Sequence, residues 1–519
     1  MKIVIVTNYA GEKMFRYFKS TLILLMIFML FGCSLSSSGE EEKSQKELTL
    51  LFNFPTNTID PHLDSNYTMV RAGVGETLVK ISEDLKIEPW LAEEWKSKDG
   101  QNWTFKIREG VTFHNGKKVD AQAVKASLER AIKDSPAVKA ALKIRKMEAN
   151  GQLLTIRTEE VFPQFPSELV HPNTAIIDVT EKDFDQKPIG TGPFKVSSFE
   201  PGVALKVERF DEYWNGKAKL DKATFSFNED ANARLMALQS GDADIIFRPP
   251  VENLEQLKEE KVKVDSVPGL RTHQLLFNMD SPYMKDENVR KAIDALVDRK
   301  EIVEHILNGH AVEAKGPFLT DFPFAPSYEE KKRGIEAARQ YFTQAGFQAE
   351  NGKLTKDGKS VQFKVLTYSS RPELPLIVQI LQSKAKELGI EMTIQQVENI
   401  DEYLAANDDW DFATYSSLTA PRGDAAYFLN ATYMPNGALN YANMNHPELI
   451  AVINQLNQTV EVNERNKLAR EAAKIIDKEM LHSFIVHPNI IVAYRDGVKN
   501  WVTSKSEYYM LTKDLDVEK

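Results

Sequence analysis

Gln362-Phe-Lys-Val-Leu-Thr367, a helical stretch over 376–388 and Glu391-Met-Thr-Ile-Gln-Gln-Val397 follow one another directly. They read as strand, helix, strand, the pattern of a βαβ unit. Parallel strands need such a crossover, so this run predicts α/β architecture. The alternation continues on both sides. Upstream, a strand over 274–278 precedes a helix over 289–297. Asp298 and Glu301 form a capping box for the next helix, which ends at Asn308-Gly309. A further helix over 335–345 stops at Gly346. Downstream come a strand over 411–415, helices over 447–458 and 463–478, and a strand over 483–487.

The N-terminal half repeats the alternation. It holds a strand over 48–54, a helix over 68–80, and strands over 103–107 and 111–114 closed by the turn Asn115-Gly116. Asp120 caps a helix with Val124, Leu128, Ala131 and Ile132 at helical spacing. Strands over 153–157, 194–196 and 204–209 follow, then a helix over 231–239 stopped by Gly241 and a strand over 243–247. Asn-Gly-Lys recurs at 115, 215 and 351 as turns without a fixed period. A second body begins near His273. No Ser/Pro-rich linker divides the two, which predicts lobes joined by crossing strands with a ligand cleft between them.

The chain has 519 residues, 42% hydrophobic and 27% charged, with a net charge of −10. This composition excludes a disordered chain, a coiled coil and a polytopic membrane protein. The acidic balance argues against a nucleic-acid partner. The one cysteine, Cys33, can form neither an intrachain disulfide nor a thiolate zinc site. It closes Leu30-Phe31-Gly32-Cys33, behind the apolar run 21–31 (TLILLMIFMLF), which follows Arg16 and Lys19. That run is too short to span a bilayer, where about 20 residues are needed. It reads as a signal peptide over 1–32 ending in what resembles a bacterial lipobox, with Cys33 the acylated residue. Met14 is a plausible true start, making 1–13 an upstream extension. The polar stretch 33–47 reads as a flexible tether. The mature protein is expected outside the cytoplasm, held to the cell membrane by lipid.

Catalytic signatures are missing: no GxSxG, HExxH, Walker or GxGxxG motif occurs. His305 and His310, five apart on a helix, do not face one metal. His482 and His487, on a strand, point to opposite faces, and His446 starts a helix. No metal site and no cofactor are expected, and the chain is not read as an enzyme. His171, in a loop after an apolar segment, is the histidine that can reach a cleft.

Several segments together resemble the substrate-binding proteins of ABC importers. The nearest group is family 5, the dipeptide, oligopeptide and nickel binders. These segments are Ile59-Asp-Pro-His62, Glu88-Pro-Trp-Leu-Ala-Glu-Glu-Trp95, Trp103-Thr-Phe-Lys-Ile-Arg108, Val111-Thr-Phe-His-Asn-Gly116, Pro188-Ile-Gly-Thr-Gly-Pro-Phe194, Gly241-Asp-Ala-Asp244 and Val289-Arg-Lys-Ala-Ile293. The resemblance implies a two-lobed periplasmic-binding-protein-like fold (type II, cluster C). Lobe one covers 48–272 with an extra subdomain within about 76–187, lobe two covers 273–489, and 490–519 returns to lobe one. It implies permease and ATPase subunits as partners, a monomer, and closure of the lobes on the ligand.

The resemblance leaves the ligand class divided. Asp424, in Arg422-Gly-Asp-Ala-Ala-Tyr-Phe-Leu429, matches an aspartate that pairs with the ligand α-amino group in dipeptide binders. It reads equally as the N-cap of the following helix. Arg422 can clamp a carboxylate or stand as a solvated loop residue. Tyr67, Met69 and Arg71 match a cleft-lining segment and equally fit a helix packing face. Asn173 stands where nickel-chelate relatives carry an arginine. Small peptides are the leading ligand reading, a nickel or other metal chelate the alternative. A secreted hydrolase is the reading from another class.

Overall fold

A computed structural model of the chain describes residues 45–350 and 353–518. The signal segment, Cys33, the tether up to residue 44 and the turn at 351–352 lie outside the described residues. The tether reading ends earlier than residue 47. The Lys46 N–H donates to Asp221 Oδ2 at 2.8 Å, and its Nζ lies 2.7 Å from Asp516.

Strand β1 (Glu47–Phe52) leads to the short helix α1 (Thr68–Arg71). The predicted helix over 68–80 stops at Arg71 because Gly73 takes φ +66° against the backbone. A Cβ there would lie 2.2 Å from the Leu511 carbonyl oxygen. Next come β2 (Ala92–Ser97) and β3 (Asn102–Ile107), then helices α2 (Ala121–Asp134) and α3 (Pro136–Leu142). Asp120 caps α2 and Ser135 caps α3 by accepting backbone N–H groups. The strand expected over 111–114 is only a bridge between Thr112 and Lys118. Strands β4 (Ile144–Asn150) and β5 (Leu153–Thr158) complete a separate antiparallel sheet in the order β2-β3-β5-β4. Its inward Phe105, Leu154 and Ile156 share a core with Val124, Leu128 and Ala131 of α2. Helix α4 (Phe165–Glu168) follows it.

The main sheet collects β6 (Phe194–Glu200), β7 (Ala204–Arg209), β8 (Lys222–Phe227), β9 (Ile245–Phe247), β10 (Lys263–Pro268), β11 (Arg271–Phe277) and β12 (Ala311–Glu313). It continues with β13 (Gln362–Tyr368), helix α5 (Glu373–Glu387), β14 (Glu391–Val397) and β15 (Phe412–Leu418). Strands β13 and β14 pair in parallel across α5, as the βαβ reading requires. Helices α6 (Ala426–Tyr433), α7 (Pro447–Gln458) and α8 (Val462–Lys478) precede the last long strand, β16 (His482–Tyr494).

Twelve strands form this sheet, along the path β14-β13-β15-β11-β16-β9-β1-β8-β7-β6, with β10 and β12 also on β16. The strand expected over 483–487 is therefore 13 residues long. Its first half pairs with β11 and its second half with β10. One apolar core lies around Leu275, Phe363, Phe412 and Ile485, another around Leu50, Phe225, Ile245 and Val492. Strand β16 feeds both. Beside it the chain passes from β10 to β11 through Gly269, where a Cβ would meet Pro488 O at 3.2 Å and Ile490 Cγ1 at 3.1 Å.

Candidate ligand site

Around the junction of β10, β11 and β16 the protein buries charge. Arg71 ends α1 and is 6% exposed. Its Nε donates to Glu507 O at 2.8 Å, its Nη1 to Asn66 O at 2.6 Å, and the guanidinium lies 4.5 Å over the Phe52 ring. The Glu507 carboxylate faces Arg71 Nη2 at 3.8 Å and Arg248 Nη2 at 3.6 Å. Burial works to raise the Glu507 pKa, but Arg248, Arg271, Arg71 and Arg371 outweigh it and hold the group ionised. Glu507 itself sits at φ +60°, a conformation rare for a side chain of its size.

Arg271 and Arg371 are less well matched. Arg271 starts β11 and reaches Ser416 O at 3.3 Å, and its Nε has no partner. Arg371, in the turn before α5, is 6% exposed, and its Nη1 has no partner. Burial, with Arg248 and Arg271 close by, pushes its pKa well down. A buried donor left unsatisfied costs about 1–3 kcal/mol. Both arginines line a cavity of about 1050 Å³ together with Tyr368, Asp401, Tyr415 and Ser416. Tyr415 donates to Asp401 at 2.5 Å, which keeps that carboxylate occupied. Behind the cavity His273 Nε2 meets Glu373 Oε1 at 2.8 Å. Burial opposes ionisation of Glu373, but the hydrogen bond from His273 and the nearby Arg371 bring it down to about 2. Burial holds the His273 pKa below its ordinary value, against the opposing pull of the Glu373 carboxylate.

A second cavity of about 990 Å³ holds Tyr67, His171, Asn173, Arg422, Glu168 and Tyr427 along its inner part. Tyr67 stands edge-on to His171 at 5.1 Å and to Tyr508 at 5.7 Å. His171 Nδ1 accepts from the Asn173 N–H at 3.2 Å, which leaves the proton on Nε2. Burial lowers the His171 pKa to about 4, so the ring is neutral. Asn173, where the resemblance placed an arginine, donates to Pro61 O at 2.6 Å and Asp64 O at 3.0 Å. Arg422 pairs with Glu168 on α4 and lies 4.3 Å over Tyr427.

The structure thus brings Tyr67, His171 and Arg422 onto one cavity. Arg71 stands in the charge cluster behind the other. Met69 is 1% exposed and packs on Gly75 and Gly190, lining neither cavity. Asp424 also lines neither. Its Oδ1 accepts from the Ala426 N–H at 2.6 Å and its Oδ2 from Arg465 Nη2 at 2.8 Å. Sequence reasoning did not single out Arg271, Arg371 or Glu507. One signal was available: Arg271 and His273 stand two apart on one strand and so share a face. Among the described residues no group of three or more His, Cys, Asp or Glu is placed to hold a metal ion.

Comparison with known proteins bears on what these cavities receive. Residues 86–440 match the family model described as bacterial extracellular solute-binding proteins, family 5 Middle. The crystal structure of a nickel ABC transporter from Bacillus halodurans is 55% identical, with a TM-score of 0.80, over 91% of this chain and 100% of that one. The nickel-binding protein NikA of Staphylococcus aureus is 33% identical over 499 residues, covering 96% of this chain and 98% of its own. A structure of that protein in complex with Ni(L-His)2 superposes with a TM-score of 0.80. The oligopeptide-binding protein AppA of Bacillus subtilis is 25% identical over 528 residues, covering 92% and 95%.

Proposed function

The chain belongs to the bacterial extracellular solute-binding proteins of family 5, and we propose that it captures nickel for an ABC importer as a small carboxylate-bearing chelate. One observation carries the cargo reading: Arg271 and Arg371 line a large cavity, and each keeps a buried guanidinium nitrogen without a partner. A carboxylate of the chelate can pair with these arginines through charge-assisted hydrogen bonds, beside Glu398, Asp401 and Glu402 on the same cavity wall. Among the described residues no His, Cys, Asp or Glu cluster is placed to hold the metal itself, so in this reading it arrives wrapped by its own ligands. The 55% identity with the Bacillus halodurans nickel transporter chain supports the same cargo. Tyr67, His171 and Arg422 flank the chelate from the second cavity. Arg71 and Glu507 hold the charge cluster in place from behind, and Met69 and Asp424 position the segments that carry their neighbours.

Small peptides, the first choice on sequence alone, form the second reading, supported by the similarity to AppA. In both readings the lobes 48–272 with 490–519 and 273–489 close on the cargo and present it to a permease driven by a separate ATPase. The protein acts as a monomer and as no enzyme. Cys33 carries the lipid that holds it at the outer face of the cell membrane.

Titration calorimetry on the purified chain tests the cargo. Nickel with excess L-histidine is expected to bind, and nickel alone to bind far more weakly. Arg271→Ala and Arg371→Ala should each weaken the chelate roughly 10- to 100-fold, the range of a lost charged hydrogen bond. Equal affinity for bare nickel, or full affinity in both variants, sinks the reading. Loss of palmitate labelling in Cys33→Ala tests the anchor.

A further inference from the structure

The tip of one hairpin meets the corner between two helices, away from both cavities. The turn between β2 and β3 is tied down at Asp99, whose Oδ1 accepts from the Gln101 and Asn102 N–H groups at 2.9 and 2.8 Å. Gly100 follows at φ +68°, and its carbonyl accepts from the Phe162 N–H at 2.7 Å and from Trp103 Nε1 at 3.2 Å. Gly100, Val161 and Pro163 are thereby held as one surface. Val460 leans on it from the corner between α7 and α8. A Cβ at Gly100 would lie 3.3 Å from Val161 Cγ1, 3.3 Å from Val460 Cγ2 and 3.4 Å from Pro163 Cγ. The missing side chain lets the two segments come this close. Val161 and Val460 stay 41% and 49% exposed, so the contact is at the surface and its energy is small.

The corner that carries Val460 is held from several sides. Thr459 Oγ1 donates to Gln455 O at 2.8 Å, and Glu461 caps α8 by accepting from the Asn463 and Glu464 N–H groups. Arg465, one turn into α8 and buried, donates through Nη1 to Leu456 O at 2.8 Å and to Thr459 O at 3.2 Å. The same nitrogen reaches Gln164 Oε1, just before α4, at 3.4 Å, and Nη2 donates to Asp424 Oδ2 at 2.8 Å. Asp424 therefore aims Arg465 at the segment before α4. Its neighbour Gly423 sits at φ +72°, where a Cβ would lie 2.4 Å from Leu85 O and 3.3 Å from Ile81 Cδ1. In each of these three contacts a residue of 48–272 meets a residue of 273–489.

We infer that these contacts form a latch between the two lobes, with Val460 seated on Gly100 and Arg465 held by Asp424 against Gln164. The latch favours the closed arrangement by an amount independent of the ligand, because Gly100, Pro163, Val460, Asp424 and Arg465 line neither cavity. The inference rests on the reading that 48–272 and 273–489 are lobes that move, and on no particular cargo. A ligand that needs the closed arrangement binds in proportion to the closed fraction. Loosening the latch therefore weakens every ligand by one common factor, whereas a residue lining a cavity acts on the ligands it touches.

The test uses the full chain with Cys33→Ser, spin-labelled through Lys146→Cys on β4 and Lys467→Cys on α8, both exposed. Double electron–electron resonance without ligand reads the ratio of short to long separations. Val460→Ser should lower that ratio about three- to tenfold, the worth of half-burying a valine side chain. Asp424→Asn loosens Arg465 and should shift the ratio the same way. Met236→Ser removes an exposed apolar group on the helix Ala231–Ser240 and should change nothing. By calorimetry, nickel with L-histidine should bind Val460→Ser more weakly by the factor through which the closed fraction falls. An unchanged ratio in Val460→Ser, or an equal change in Met236→Ser, overturns the latch. If the chelate shortens the separation while Val460→Ser leaves the ratio alone, the moving lobes stand and the latch falls. One fixed separation in every chain, with and without chelate, overturns the latch together with the lobes. A ratio lowered in Val460→Ser with no chelate bound supports the latch and removes nickel as the cargo.

Discussion

The two cavities each carry arginines, paired to different degrees. Arg422 has a carboxylate of its own in Glu168, although its Nε is left without a partner. Arg271 and Arg371 line their cavity without one, against Glu507 and Glu373 shared among several cations. A paired buried arginine holds the fold. An under-paired one stores an unsatisfied demand that a ligand can meet. A carboxylate of its own sets Arg422 apart from the two arginines of the other cavity.

The largest effect should come from breaking the satisfied pair. Glu168→Ala strands Arg422 in a buried site and should cost about 3–5 kcal/mol of folding stability, read by urea unfolding. A loss below 1 kcal/mol would put Arg422 with the under-paired group. The converse change should have the opposite sign. Arg371→Met removes a buried cation whose Nη1 is unsatisfied, and should leave the ligand-free protein as stable or about 1 kcal/mol more stable. A clear loss of stability would mean that Arg371 is a structural arginine after all.

A further prediction concerns pH. His487, on the crossing strand beside Arg271, is 2% exposed, and burial lowers its pKa from 6.5 to about 4. The unfolded chain then binds the proton more readily than the folded one between those values. Stability should rise with pH from about 4 to 6.5 and level off above it. His487→Asn should flatten that slope if this ring contributes to it. An unchanged slope would assign the dependence to the other buried histidines, His62, His114 and His171 near 4 and His482 near 3.

Local pattern made much of the fold readable. The run 362–397 announced its two parallel strands and their helix because each element completes its own periodicity. Strand β16 was seen only over 483–487, since Pro488 interrupts the pattern and lacks the N–H a ladder needs. The helix expected over 68–80 failed at Gly73, whose conformation is set by contact with Leu511, far away in sequence. The site divides in the same way. Tyr67 and Arg422 could be singled out because each lies in a segment with its own resemblance to known binders, and His171 because it stands in a loop after an apolar segment. Arg71, Arg271, Arg371 and Glu507 come from four distant segments. No spacing in the sequence encodes their meeting; it follows from the sheet order, and resemblance flagged only Arg71 among them.

Strand β16 has a mechanical consequence. It is bonded along its length to partners in both halves of the sheet, with a register shift opposite His273 and Gln274. Beside it the chain crosses once more, at Gly269, wedged against Pro488 and Ile490. Sliding one half along the other would have to break a whole ladder of hydrogen bonds at once, whereas flexing about the crossing breaks none. If the halves close on a cargo as proposed, this pair of strands is the leaf spring between them, and their relative motion would reduce to a single angular coordinate: how far that spring is bent.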